Sequence, residues 1–210
     1  YGMSEFITSS GASPVLMELV VQGSSQASGS GSYAFFSSLA VDIDVQICYE
    51  FSPPTVTICF GDGTGAACPC NNYGVAGSGC ANSAYPGGGL LAGSGSTQVS
   101  ADGFSLMTAG TPSSTVLFVQ GAMPIAGELG SPFGDGLRCV GGGPIRLGSV
   151  IAALGHAQYP PFGAPGISLQ GGIPAAGGTR YYQALYRDAV SFCTSHSFNL
   201  TNGLRVSWSP

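Results

Sequence analysis

The segment Cys59–Cys80 constrains the fold of this 210-residue chain more than any other stretch. It holds four cysteines and six glycines, with Pro69 between the two middle cysteines. Glycine costs backbone entropy in regular structure, and proline interrupts helices and central strands. The segment therefore predicts a cross-linked knot (residues 59–80) that separates an N-terminal β segment (residues 1–58) from a C-terminal β-sandwich module (residues 81–210).

The cysteines favour disulfide bonds over a metal site. The chain has seven cysteines and two histidines, and the knot reads C-x8-C-x-C-x9-C. This spacing lacks the short C-x2-C or C-x4-C step of structural zinc sites, whereas disulfides are typical of exported proteins. We therefore expect a secreted protein of the cell surface, with Tyr1 at or after a processing site.

Within the knot, Cys68 and Cys70 need separate partners. Pro69 pushes Cys68 into an extended conformation, so these two thiols cannot close on each other without strain. Two arrangements remain, namely Cys59 with Cys68 and Cys70 with Cys80, or Cys59 with Cys70 and Cys68 with Cys80. We favour the second, crossed arrangement.

Three cysteines lie outside the knot. Cys139 and Cys193 are expected to pair with each other, although bridges between these two and the knot remain open. Because seven is odd, one cysteine lacks an intrachain partner. Cys48 is our candidate for the unpaired or intermolecular cysteine, since it falls on the polar face of a predicted strand; pairing of Cys48 with a facing strand is the alternative.

That strand has the clearest periodicity in the chain. Apolar and polar residues alternate over residues 39–52, which indicates a long strand with one solvated face. Upstream, residues 13–22 have strand length and composition, and the Gly/Ser-rich residues 23–32 follow as a linker. Residues 13–22 are either an ordinary first strand or a strand donated to a neighbouring subunit. The candidate assembly residues are Val15, Met17, Leu19 and Val21.

Downstream, short β-type runs recur between glycine, proline and serine. Their spacing of about ten residues, without a capped helical stretch, predicts an all-β, disulfide-stapled antiparallel β-sandwich of the jelly-roll type. The runs are residues 96–100, 104–108, 114–120, 144–151, 167–170, 179–187 and 203–208.

Several sequence blocks resemble a known family. They are Cys59-Phe-Gly-Asp-Gly-Thr-Gly, Cys68-Pro-Cys-Asn-Asn-Tyr-Gly, Gly79-Cys-Ala-Asn-Ser, Phe133-Gly-Asp-Gly-Leu-Arg-Cys, Tyr181-Tyr-Gln-Ala-Leu-Tyr-Arg-Asp and Phe198-Asn-Leu-Thr-Asn-Gly. In this order and spacing, residues 59–210 resemble the C-terminal modules of large secreted or surface proteins of planctomycete-type and related bacteria. The resemblance implies an extracellular location and a β architecture, and it implies no reaction.

Charge excludes some partners. The chain has five arginines, no lysine and ten acidic residues, so no basic stripe is available for a nucleic-acid backbone. No apolar run approaches the roughly 18 to 20 residues that a membrane-spanning helix needs. We therefore expect neither a nucleic-acid partner nor a membrane span.

No catalytic motif emerges, and we expect a protein that is not an enzyme. There is no G-x-S-x-G elbow, and His156 and His196 lie in loop-like contexts. Asp62 and Asp135, each flanked by glycines, are weak calcium candidates, but turn formation is the simpler role. No other cofactor or metal is expected.

Two further patterns have a functional and a structural interpretation. Tyr181, Tyr182, Tyr186 and Trp208, with Arg187, form either a sugar-stacking platform or part of the core, and we favour the core. Residues 199–201 form an N-glycosylation sequon that can equally serve a structural role.

The predicted function is that of an extracellular structural protein. Few charges, a donor-like strand, a long two-faced strand and an odd cysteine favour self-assembly into a filament or surface layer. Strand exchange, an intermolecular disulfide or both would join the copies, so the main partner is the protein itself. The alternative is a secreted carbohydrate-binding or adhesion module of a larger surface protein, with glycans as partners.

Overall fold

A computed structural model describes residues 54–190, 192 and 194–210. All of them belong to one compact unit. The regular elements of this unit are β1 (Thr55–Ile58), β2 (Leu90–Ser94), β3 (Ser105–Ala109), β4 (Thr115–Gly121), β5 (Met123–Pro124), β6 (Ser131–Phe133), β7 (Gly136–Arg138), β8 (Val140–Gly141), β9 (Ile145–Ile151), β10 (Ala157–Tyr159), α1 (Ile167–Gln170), β11 (Gly178–Arg187), β12 (Phe198–Leu200) and β13 (Gly203–Trp208).

The main sheet is antiparallel and has six strands. Its order is β1-β13-β11-β4-β9, and the short strand β12 pairs with one end of β11. Alternating valine, leucine and aromatic residues form these strands, as in β4, where Val116 and Phe118 are fully buried and Leu117 and Val119 half-buried. The sheet therefore has a deeply buried inner face and a second, partly covered face.

A three-stranded sheet in the order β10-β3-β2 supplies the second layer. Phe104 lies just before β3 and joins the rings of Tyr182 and Trp208, at centroid distances of 6.2 and 5.6 Å. Tilted and edge-on contacts of this kind add to the hydrophobic gain from burial. The predicted all-β antiparallel sandwich is confirmed, and its main core lies between these two sheets.

A second, smaller cluster covers part of the opposite face of the main sheet. The two-stranded ladders β5–β8 and β6–β7 and the knot meet there. The cluster joins Ile58 at the end of β1 to Leu137, Val140 and four cysteines, all buried. The knot is therefore packed into the sandwich.

The described part of the chain corrects two predicted strands. Residues 167–170 form one turn of α-helix, because the Asp102 carboxylate accepts a hydrogen bond from the Ser168 N–H at 2.6 Å and fixes the first turn. A four-residue apolar alternation is too short to distinguish a strand from a helical turn. Residues 99–101, which overlap the end of the predicted strand 96–100, form a 3-10 turn.

The boundary that we predicted after residue 58 does not separate β1 from the module. Thr55–Ile58 pairs antiparallel with residues 203–206 of β13, so it is a strand of the main sheet. A segment of four residues is too short for sequence periodicity to show that it pairs with a strand far away in the sequence. The long strand predicted over residues 39–52 lies outside the described residues.

Two core tyrosines predict how stability depends on pH. Tyr182 and Tyr186 are fully buried, and burial raises the pKa of both phenols far above the usual value near 10. Unfolding exposes phenols that ionise near pH 10, while the folded phenols stay neutral. Their contribution to stability is therefore complete below pH 10 and is lost as the pH rises above it.

We expect the free energy of unfolding to fall above pH 10 by about 1.4 kcal/mol per pH unit for each of the two tyrosines. Urea unfolding at pH 9, 10 and 11, with tyrosinate absorbance at 295 nm, measures this. Tyr186→Phe is the control, because it should halve the slope. Full ionisation of all tyrosines near pH 10 in a protein that stays folded would contradict the prediction.

Candidate functional site

Two disulfides are fully described. Cys68 pairs with Cys80 at a Cα–Cα distance of 5.9 Å, and Cys59 pairs with Cys139 at 5.8 Å. The first bond is half of the predicted crossed arrangement, and separate partners for Cys68 and Cys70 are confirmed. The predicted bonds Cys59–Cys70 and Cys139–Cys193 are wrong, because Cys139 bonds to Cys59.

The register of β1 explains this correction. Ile58 lies opposite Gly203 of β13, and a side chain at Gly203 would lie 2.9 Å from the Cys139 Cβ and 3.0 Å from the Ile58 Cγ1. Because Gly203 has no side chain, the end of β1 and the end of β7 can both lie close to the main sheet at this position. Cys59 and Cys139, the next residue after each strand, meet there.

The other cysteines are described only in part. Cys70 also forms a disulfide. Cys48 and Cys193 lie outside the described residues, as do the assembly residues Val15, Met17, Leu19 and Val21. Their predicted roles therefore stay predictions.

The two calcium candidates take part in local hydrogen bonding. Asp62 accepts hydrogen bonds from the Thr64 N–H at 3.0 Å, the Thr64 hydroxyl at 2.5 Å and the Gly77 N–H at 3.0 Å. The Thr64 hydroxyl is the main cause of the lowered pKa of Asp62. These contacts are those of a turn-forming aspartate.

Asp135 is fully buried and accepts a hydrogen bond from the Thr194 N–H at 2.7 Å. Its other carboxylate oxygen is also buried, and no described residue donates a hydrogen bond to it. Among the described residues, no group of three or more histidine, cysteine or acidic side chains could hold a metal ion.

The structure describes both histidines and the aromatic candidates for sugar stacking. Within the described residues, neither His156 nor His196 hydrogen-bonds through its ring to a serine or a carboxylate. Tyr182 and Tyr186 are fully buried, and the indole N–H of Trp208 donates to the Tyr182 hydroxyl at 2.9 Å. The core interpretation of these aromatic residues is therefore correct.

The sequon has a structural role. Asn199 is fully buried, and its side-chain amide donates to the Ala81 carbonyl at 2.9 Å and accepts from the Leu200 N–H at 2.7 Å. A glycan on this nitrogen has no space in the folded module. Asn199 thus joins β12 to the chain that follows the knot.

A shallow groove of about 340 Å³ lies beside β1. Val56, Thr57 and Phe60 line one side, and Glu128 and Leu129 line the other. Glu128 accepts a hydrogen bond from Arg205 at 2.8 Å and is neutralised by it. Among the described residues that line the groove, Glu128 is the only charged one.

Strand β9 lies at the other end of the main sheet, and among the described residues no strand pairs with it on the side away from β4. One of its backbone groups, the Leu147 carbonyl, accepts a hydrogen bond from the Tyr159 hydroxyl at 2.8 Å. The Ala152 N–H, just after β9, donates to the Ser114 carbonyl at 2.8 Å. Residues of an antiparallel strand alternately direct their N–H and C=O groups toward and away from the neighbour. Val150 and Gly148 therefore pair with β4, and Ser149 and Ile151 direct their backbone groups away from the sheet.

The register also assigns the faces of β9. Val150 lies opposite the buried Val116 and packs against the main core. Ile151 and Ser149 therefore belong to the other face. We call the outer face the set of half-buried or exposed residues on that side of β4 and β9, namely Thr115, Leu117, Val119, Arg146, Ser149 and Ile151.

The two edges of the main sheet differ in how they are protected. Natural proteins protect edge strands by proline, by charge or by shortness. The β1 edge has four residues. Pro54 precedes it and Cys59, whose φ is +58°, follows it. The β9 edge has seven residues, a bulge at Leu147 and one charge, on Arg146. Ile151 is 69% exposed there.

Sequence reasoning predicted β9 as a strand and missed its position at the edge. The residues of β9 look like those of a central strand, because only Arg146 is charged. The order of strands in a sheet is set by pairing between distant segments, which local composition does not report. The absence of lysine was the sequence signal that could have indicated an unprotected edge strand, since lysine commonly protects such edges.

Comparison with protein-family models, curated proteins and solved structures finds no match for this chain. No helix in the described part of the chain is long and apolar enough to cross a membrane. The described residues thus define the class of protein as a disulfide-bonded antiparallel β-sandwich, whose main sheet ends at β9 within the part of the chain that the structure describes.

Proposed function

We propose that this chain is an extracellular structural protein of the cell surface that self-assembles into a filament or surface layer. Strand exchange joins the copies, an intermolecular disulfide at Cys48 can lock them, and no catalysis is involved. The observation that carries the proposal is the β9 edge, where seven residues with one charge end the main sheet and no described strand other than β4 pairs with them.

An open edge of this kind is a template for another chain. Each outward N–H and C=O of Ser149 and Ile151 can pair with an added strand, which gives affinity through the backbone. The exposed Ile151 side chain and the half-buried Leu117 and Val119 beside it on the outer face add apolar area. A protein that remains monomeric would be expected to protect such an edge.

The disulfides and the composition support an extracellular location. Disulfides are characteristic of oxidising compartments. Charged residues make up 7% of the chain, so little charge repulsion opposes close packing of copies. Both features suit a structural protein that must persist outside the cell.

Ser149→Pro should abolish assembly without unfolding the module. Proline removes the outward N–H and blocks the edge, and it removes no hydrogen bond to β4. Ser149→Thr is the matched control, because it keeps the N–H and favours a strand. Light scattering and negative-stain electron microscopy should show polymers for the wild type and Ser149→Thr, and monomers for Ser149→Pro.

Circular dichroism and urea unfolding establish that both variants are folded. A wild-type protein that is strictly monomeric at high concentration contradicts the proposed function. Polymers of Ser149→Pro identical to those of the wild type show that β9 is not the assembly edge.

A further inference from the structure

We infer that the β9 edge accepts residues 13–22 of another copy of this chain as an added strand, with Glu18 beside Arg146. This inference rests on the proposed function and names the two surfaces that join. It specifies β9 as the acceptor edge and residues 13–22 as the donor, and a physical reason supports each choice.

The lengths of the edge and of the donor match. β9 spans seven residues, and the apolar run Val15–Val21 also spans seven. At about 3.3 Å per residue, both extend about 23 Å. The β1 edge, with four residues between Pro54 and Cys59, could pair with only half of this donor.

The faces also match. In residues 13–22, Val15, Met17, Leu19 and Val21 share one parity, and Glu18 lies on the other with Leu16 and Val20. On β9, Val150 extends the main core to the edge of the sheet. If the odd-numbered residues of the donor lie on the same side of the sheet as Val150, the donor extends the core by one strand. Glu18, which has the other parity, then lies on the outer face.

The charges of Arg146 and Glu18 indicate which face of the donor strand points outward. Arg146 is the only charged residue of β9, is exposed, and lies opposite Val119 on the outer face. The one ion pair within the described residues is between Arg205 and Glu128, so Arg146 has no acidic partner there. Glu18 is the only charge in residues 13–22 and supplies the complementary carboxylate.

The linker permits the donor to reach a second copy. Residues 23–32 are glycine, serine, glutamine and alanine, a flexible composition. Ten such residues span up to about 35 Å when extended. A linker of this length and composition suits a donor that pairs with a neighbouring copy.

Hydrogen exchange with a synthetic peptide tests the site. The acceptor is the full-length chain carrying Leu19→Lys, which weakens its own donor, and the probe is a peptide of residues 13–22. We expect exchange of the Ser149 and Ile151 amides to slow at least tenfold on adding the peptide, with no change for a scrambled peptide. Protection of the Thr55 and Thr57 amides instead, or no protection at all, overturns the inference.

Charge reversal in the full-length chain tests the register. Glu18→Arg alone and Arg146→Glu alone should each weaken polymerisation about fivefold or more, and the double variant should restore it. Equal polymerisation of all four proteins, or failure of the double variant to recover, overturns the Glu18–Arg146 pairing. Arg146 is exposed, and circular dichroism verifies the fold of each variant.

The two proposals fail in different ways. If the wild-type protein polymerises but the peptide does not protect β9, self-assembly stands and this acceptor is wrong. If β9 is protected in polymers of Leu19→Lys without peptide, β9 pairs with β9 of a second copy, and the inference is overturned. If the wild type never polymerises, the proposed function fails, whether or not the peptide binds.

Discussion

Replacing Cys59 and Cys139 together by serine should lower the free energy of unfolding by about 4.5 kcal/mol. The bond closes a loop between residues 80 positions apart, and the chain-entropy model gives this value for such a loop. Both sulfurs are buried in the cluster that attaches β1 and the knot to the main sheet. The double variant leaves no new free thiol to mispair.

The matched control is Cys68→Ser with Cys80→Ser. This bond closes a loop of only 12 positions, for which the same model gives about 2.8 kcal/mol. Urea unfolding of the two double variants and the wild type measures the difference, which should be about 1.7 kcal/mol. A larger loss for Cys68/Cys80 would mean that packing in the knot, and not loop length, dominates.

The second large effect is expected at Gln183, in the middle of β11. Its side-chain amide donates to the Leu137 carbonyl at 2.8 Å and the Thr201 carbonyl at 2.7 Å, and accepts from the Cys139 N–H at 2.9 Å. These bonds join β11 to the chain around β7 and to the residue after β12. The side chain is 1% exposed, so water cannot replace it.

Gln183→Leu should destabilise the module by at least about 3 kcal/mol, because it leaves three buried backbone groups without a partner. Gln120→Leu is the control in the same sheet, since Gln120 makes one described bond, to the Gly171 carbonyl at 2.7 Å, and should cost about 1 to 2 kcal/mol. Urea unfolding measures both. A loss below 1 kcal/mol for Gln183→Leu would mean that water or another group reaches these sites.

Several features of the fold could be predicted from local sequence. β4, β9, β11 and β13 were each predicted within two residues of their ends, because period-two alternation and β-branched residues report a half-buried strand. β2 was missed, since the glycine within its five residues weakens the strand pattern. The helical turn at residues 167–170 was missed because its stabilising contact, from Asp102, comes from a distant loop.

The candidate site was harder to predict than the fold. β9 was identified as a strand, but its exposed edge follows from the pairing order of the whole sheet. Conversely, Asn199 and Asp135 look like surface residues by their composition and are fully buried. Each makes a hydrogen bond to a residue far away in the chain, Asp135 to Thr194, 59 positions away, and Asn199 to Ala81, 118 positions away.

The segment Cys59–Cys80 shows which properties follow from the local sequence and which follow only from the tertiary structure. Its glycines, Pro69 and cysteine spacing determined by themselves that it is a cross-linked turn region, because these are properties of neighbouring residues. The partner of Cys59 was decided only in the tertiary structure, where pairing of β1 with β13 brings it to Cys139. Disulfide partners and open edges depend on contacts between distant segments, and local sequence carries no record of which segments meet.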